Sequence, residues 1–203
     1  MQISNLLFSS IIQTILFSII PFIWWVISAR EQSTFSNWLG ISKPIILNKK
    51  KYVTSLLLVL SLLLILTVAS FLVIPQFVNK SNLATSQFVG KSMSTLISIL
   101  IYAFLQTGFS EELFFRGFLS KRLIDKYGFK IGNIIQSLVF GLMHGLFFIS
   151  LAGILGTIII IAITSTAGWI MGWFDEKKSG GSIVPSWLFH GCTNTLAAIL
   201  NFF

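Results

Sequence analysis

The sequence predicts an all-α, polytopic transmembrane helical bundle of about six spans, and three observations support this. Of the 203 residues, 55% are hydrophobic and only 10% are charged, whereas soluble domains carry about 25% charged residues. The mean hydropathy is +0.89. Uncharged stretches of about 20 residues, long enough to cross a bilayer, recur along the chain. We therefore expect one membrane domain, residues 1–203, with seven or eight helices if a segment is re-entrant or split.

Each uncharged stretch predicts one or two spans. The predicted spans are residues 6–27, 52–74, 92–109, two within 131–174, and 183–203. The third span runs into a helix that continues to about residue 124, with a break near Gly108. The stretch 131–174 contains no Asp, Glu, Lys or Arg, so it is long enough for two spans. Gly153 and Gly156 are the candidates for the turn between them.

The basic residues predict the orientation of the bundle. Eleven of the fourteen lysines and arginines lie in the loops 28–52, 117–130 and 174–182, whereas the other loops contain only Lys80 and Lys91. Because cytoplasmic loops carry an excess of lysine and arginine, these three loops are predicted to be cytoplasmic and both termini to lie outside. This rule accounts for the net charge of +8, so no nucleic-acid partner is expected.

Two glutamates and an arginine, Glu111, Glu112 and Arg116, interrupt the apolar sequence. A charge at the bilayer centre costs roughly 2.5–3.5 kcal/mol on insertion scales, so such residues point to a functional site. Glu112 and Arg116 are four residues apart on a helix, and an ion pair between them would brace the site. Glu111 lies about 100° around the helix from Glu112 and is free to act as a general base.

Two structural explanations for these charges remain open. The residues could sit at the membrane edge, where the cost of a charge is small. Alternatively, Ser110 could be the N-cap of a new helix, with Glu111 and Glu112 stabilised in its first turn by the helix dipole.

The histidines of the chain, His144 and His190, both fall in predicted spans. Asn194 lies four residues after His190 and shares its helix face. Each histidine could serve only as an interhelical hydrogen-bond partner. Together with Glu111, however, they fit water-mediated amide hydrolysis. Glu111 would take a proton from water that His144 holds, while His190 and Asn194 donate hydrogen bonds to the oxyanion.

A zinc site is the alternative use of the same residues. Glu111, His144 and His190 would make a three-ligand catalytic set. Against it, the carboxylate placed to orient the histidines is Glu112, and Arg116 already pairs with that group. We therefore expect that no cofactor is required, with zinc as the less favoured option.

Three motifs resemble those of a known family. Glu-Glu-x-x-x-Arg at 111–116, Phe-x-x-x-His at 140–144 and His-x-x-x-Asn at 190–194 occur in the order seen in the CPBP family. That family comprises the type II CAAX prenyl endopeptidases and the bacterial Abi proteins, including bacteriocin-processing and self-immunity proteins. The resemblance covers about residues 92–203, which would be the catalytic core, and residues 1–91 would supply N-terminal spans.

The resemblance implies an all-helical, glutamate-dependent intramembrane endopeptidase, although the family is often called metalloproteases. It implies that Glu111 and His144 activate water and that His190 and Asn194 form the oxyanion site. The implied client is a membrane-associated peptide or protein, such as a bacteriocin, a pheromone or a CAAX-like protein. We expect a multi-pass protein of a bacterial plasma membrane with its active site towards the cytoplasmic side.

Two other functions stay open on the sequence. One is a non-catalytic bacteriocin self-immunity or scaffold protein of the same family, which would keep the motifs for structure. The other is a small transporter or proton relay built on the same buried carboxylates. No pattern in the sequence indicates an oligomeric state.

Overall fold

The computed structural model describes residues 3–88 and 95–202, and these residues form helices and loops without a β-strand. Three helical stretches within them are long and apolar enough to cross a membrane: Ile3–Ser28, Lys49–Gln76 and Thr95–Lys178. The predicted all-α class and membrane character are confirmed. The predicted start of the third span, at residue 92, lies outside the described residues.

The N-terminal part of the chain forms two long helices and a short one between them. They are α1 (Ile3–Ser28), α2 (Phe35–Leu39) and α3 (Lys49–Val73). Helix α3 begins where the side chain of Asn48 accepts a hydrogen bond from the Lys51 backbone N–H at 2.9 Å, as an N-cap does. It ends in a 3-10 turn that contains Pro75, a residue with no backbone N–H to continue the helix.

The remaining helices come from one helical run of 84 residues and a final helix. Gly128 and Gly153 have positive φ angles of 75° and 63° and interrupt the run, because glycine adopts this conformation without a steric penalty. The interruptions give α4 (residues 95–127), α5 (129–152) and α6 (154–178), and α7 (Val184–Phe202) follows. The turn predicted at Gly153 is confirmed, whereas Gly156 lies within α6.

Two sequence-based expectations for α4 are wrong. The helix does not break at Gly108, where an added Cβ would lie 2.5 Å from the Ala103 carbonyl oxygen of the same helix. The close packing of α4 on α7 depends instead on Gly191, where an added Cβ would overlap the Phe104 ring. Ser110 is not an N-cap, because it has helical φ and ψ angles and its hydroxyl donates to the Gln106 carbonyl at 2.5 Å. The helix winds as a π-helix on both sides of the acidic pair, a feature common at functional sites.

The predicted basic loops meet at one end of the bundle, which we call the basic end. There the Ile183 N–H donates to the Gly40 carbonyl at 3.0 Å, and Lys121 Nζ donates to the Gly181 carbonyl at 2.6 Å. The opposite end, which we call the far end, consists of the loop at residues 74–88 and the Gly153 turn. These two segments pack together through a small apolar cluster of Val78, Ala152 and Ile160.

Helices α5 and α6 are in close contact beside His144. A Cβ added at Gly141 of α5 would overlap Ser165 Oγ and approach the Ile161 carbonyl oxygen of α6. We therefore expect Gly141→Ala to lower the free energy of unfolding by about 1–3 kcal/mol, the usual cost of overpacking. Thermal unfolding in detergent measures this, and Ser150→Ala, at an exposed position of the same helix, is the control. An unchanged melting temperature would contradict this packing.

Candidate active site

The centre of the bundle contains a buried ion pair between neighbouring turns of α4. Arg116 Nη1 lies 3.0 Å from Glu112 Oε1, and the two side chains are 1% and 0% exposed. The Arg116 guanidinium also lies 4.2 Å from the centre of the Phe140 ring. The predicted pair is therefore present, and it is enclosed by protein. Exposure at a membrane edge does not explain these two charges.

Glu112 also orients the second histidine. His190 Nδ1 lies 2.8 Å from Glu112 Oε1, so this carboxylate oxygen contacts both an imidazole and a guanidinium. The expectation that Arg116 would leave Glu112 no role toward the histidines is wrong. A carboxylate has two oxygens and about four acceptor positions, so it can accept from both groups. Glu112 thus fixes the ring of His190 across the contact between α4 and α7.

Glu111 faces both histidines without touching either of them. Its Oε2 lies 3.7 Å from His144 Nε2 and 3.8 Å from His190 Nε2. This oxygen is buried and has no hydrogen-bond partner among the described residues, which is unusual for a buried polar atom. These distances are too long for direct hydrogen bonds, and a water that bridges the carboxylate and a ring nitrogen would sit to one side of the line that joins them.

The tautomer of His144 follows from its backbone contact. Its Nδ1 lies 2.9 Å from the Phe140 carbonyl oxygen, which can only accept, so Nδ1 carries a proton. In the neutral ring Nε2 is then unprotonated and faces Glu111. A water between the two groups would donate one hydrogen to each and leave its lone pairs free.

Asn194 lies on the same face of α7 as His190, as the sequence predicts, and its amide is already oriented. Its Nδ2 donates to Thr107 Oγ1 of α4 at 2.8 Å. An amide group has two N–H donors, so one remains for another acceptor. Asn194, His144 and His190 all line a cavity of about 270 Å³.

The three candidate zinc ligands lie close together at the centre of the bundle. Within residues 3–88 and 95–202, no group of three or more His, Cys, Asp or Glu side chains is placed to hold a metal ion. Two ligands held about 2.0–2.2 Å from one tetrahedral zinc ion lie about 3.3–3.6 Å apart, and Glu111 Oε2 lies 3.7 Å and 3.8 Å from the Nε2 atoms of His144 and His190. A small movement of these side chains would bring them to zinc-binding distances, so zinc stays the less favoured option, and the steps proposed below use the side chains and water alone.

Asp175 is part of this buried network, although the sequence places it in a loop. It is 1% exposed, and its Oδ1 accepts the Ser186 backbone N–H at 3.2 Å. This contact satisfies a donor in the first turn of α7, the helix that carries His190. Nothing in the sequence signals it, because an acidic residue directly after forty-four uncharged residues is the expected start of a loop.

Comparison with known proteins yields a family match over the second half of the chain. A family model described as "Type II CAAX prenyl endopeptidase Rce1-like" matches residues 93–196. The matched segment contains Glu111, His144, His190 and Asn194. No curated protein and no solved structure gives a significant match.

Proposed function

This chain belongs to the Rce1-like family of type II CAAX prenyl endopeptidases, and on that premise we propose that it cleaves peptide bonds within the membrane by activating water with Glu111 and His144. The family is one of membrane proteases, which supports the reaction class. The observation that carries the proposal is the buried Glu111 Oε2, which has no hydrogen-bond partner among the described residues and lies 3.7 Å from His144 Nε2.

The proposed reaction begins with a water held between Glu111 and His144. Glu111 takes a proton from this water, and the water oxygen attacks the peptide carbonyl carbon at the same time. The negative charge that develops on the carbonyl oxygen is stabilised by Asn194 Nδ2–H and by His190 Nε2–H. Glu111 then passes its proton to the peptide nitrogen, the C–N bond breaks, and a carboxylic acid and an amine form, which become a carboxylate and an ammonium group as the acid proton moves to the amine.

The role of His190 depends on its protonation state. Its Nδ1 donates to Glu112, so Nε2 can donate to an oxyanion only when the ring carries both protons. Glu112 and Arg116 then act as positioning residues, since neither touches the reacting atoms. The carboxylate holds the ring orientation, and the guanidinium holds the carboxylate.

We also propose a six-span topology in a bacterial plasma membrane. A straight helix of the length of Thr95–Lys178 would extend about 126 Å, roughly four times the hydrocarbon thickness, so α4, α5 and α6 each make one crossing. With α1, α3 and α7 this gives six, and the basic end is cytoplasmic because of its lysines and arginines. The chain is one membrane domain, since Gln13 of α1 donates to Ser110 of α4 at 3.2 Å.

The proposed client is a membrane-associated peptide or protein, such as a bacteriocin, a pheromone or a CAAX-like protein. Comparative peptidomics of membranes tests this. A deletion strain is complemented with the wild-type chain, with Glu111→Ala, or with the exposed control Glu31→Ala. We expect wild type and Glu31→Ala to produce peptide termini that Glu111→Ala lacks.

Other outcomes would favour the remaining functions. Protection against a bacteriocin that survives Glu111→Gln would indicate a self-immunity or scaffold role. Substrate flux in liposomes without new peptide termini would indicate a transporter or proton relay. Identical peptidomes for wild type and Glu111→Ala would contradict the endopeptidase.

Asn194→Ala is expected to lower kcat by about 10²–10³-fold, the typical effect of removing one oxyanion donor. Because the donor acts on charge that develops in the transition state, KM should change little. Steady-state kinetics on a cleaved client peptide separates the two constants. The control is Thr195→Ala, whose hydroxyl donates to the Gly191 carbonyl of its own helix. A variant that raises KM and leaves kcat unchanged would contradict the oxyanion role.

A further inference from the structure

The cavity beside the site reaches from the histidines to the far end of the bundle. Phe140, His144 and His190 line its inner part, and Pro75 and residues 83–85 line its outer part. The His144 side chain, at 31% exposed, is the most accessible of the site's ionisable groups. The lining therefore leads from the site to the loop that connects α3 and α4.

The opposite side of the site is closed by packing. Arg116 and Asp175 lie toward the basic end and are each 1% exposed. Below them, Leu39 of α2 is fully buried and packs against Leu113 and Phe118 of α4. This short helix and its loop cover the site from the basic end, so the accessible face of the site is the one toward the far end.

The cavity walls carry hydroxyl groups among apolar side chains. The hydroxyls of Thr67, Ser70, Thr164 and Thr193 each donate to a carbonyl of their own helix. A hydroxyl oxygen that donates its proton still has lone pairs that can accept. Such walls suit an extended peptide, whose backbone N–H groups need acceptors and whose apolar side chains need apolar contacts.

The charges of the loops assign the two ends to the two sides of the membrane. The predicted basic loops contain eleven of the fourteen lysines and arginines, whereas the loop at residues 74–88 of the far end contains one, Lys80. The positive-inside rule then places the basic end in the cytoplasm and the far end outside.

We propose that the cavity opens to the extracytoplasmic side and receives an extended peptide segment from the outer half of the bilayer. This proposal rests on the endopeptidase function above and names the side from which its client enters. It reverses the expectation of a site facing the cytoplasm. Clients would be exported peptides or the extracytoplasmic segments of membrane proteins.

Cysteine accessibility in intact cells tests the proposal. The native cysteine is exposed on α7 and is replaced by Cys192→Ala. Thr67→Cys then reports the cavity wall, and Gln32→Cys, at an exposed position of the basic end, is the matched control. We expect a membrane-impermeant maleimide to label Thr67→Cys in intact cells and Gln32→Cys only after permeabilisation. If Thr67→Cys does not accumulate, Ser70→Cys on the same wall replaces it.

Three results would overturn the proposal. They are labelling of the cavity cysteine only in inverted vesicles, no labelling of it from either side, and labelling of Gln32→Cys in intact cells. The last would mean that the basic end faces outward. Labelling requires no catalysis, so these results do not depend on whether a peptide bond is cleaved. Conversely, a peptidome unaffected by Glu111→Ala would contradict the endopeptidase function but would not contradict the proposal that the cavity opens to the extracytoplasmic side.

Discussion

Glu111→Gln is expected to lower the rate of client cleavage by about 10²–10⁴-fold, the usual contribution of a general base. The substitution preserves the size of the side chain and removes its capacity to take a proton from water. Glu111 makes no ion pair with an arginine or a lysine among the described residues, so the bundle should fold as before. Initial rates of the purified protein on a client peptide measure the effect.

The control for this variant is Glu176→Gln, which changes an acidic residue at the basic end that pairs with Lys121 at 3.3 Å. That variant should keep the wild-type rate. Both proteins should show wild-type melting temperatures in detergent. A folded Glu111→Gln protein that cleaves at the wild-type rate would exclude Glu111 as the base.

Arg116→Met is expected to lower the free energy of unfolding by about 3–5 kcal/mol, the cost of removing one partner of a buried ion pair. The carboxylate of Glu112 is 0% exposed, and without the guanidinium its charge would lose the arginine partner that lies 3.0 Å away. Methionine retains most of the apolar contact with Phe140, so the effect reports mainly the charge. Thermal unfolding in detergent measures it.

Two comparisons make this result interpretable. Arg122→Met removes a partly exposed arginine whose partner Asp125 is 69% exposed, and exposed pairs are worth only about 0–1 kcal/mol. The double variant Arg116→Met/Glu112→Gln should be more stable than Arg116→Met alone, because position 112 then carries no buried charge without its arginine. A double variant less stable than the single one would argue against charge pairing as the cause.

The helical class follows from the sequence because it depends on properties that individual residues carry. Uncharged stretches of about 20 residues must satisfy their backbone hydrogen bonds internally in a bilayer, which selects helices. The pair between Glu112 and Arg116 is equally local, since residues four apart on a helix are neighbours. The break expected at Gly108 is absent because the helix continues there with π-helical winding and packs against α7, and the local sequence contains no information on that partner.

Sequence alone therefore determined the helical class, the membrane character and the residue types that could carry out hydrolysis. Only the tertiary structure decided that Glu112 holds His190, that Asp175 is buried against α7, and which end of the bundle the cavity reaches. The physical reason is that these features depend on how helices distant in the chain rotate and pack against one another. A residue's spacing along its own helix fixes its face, but not the side chains that this face meets.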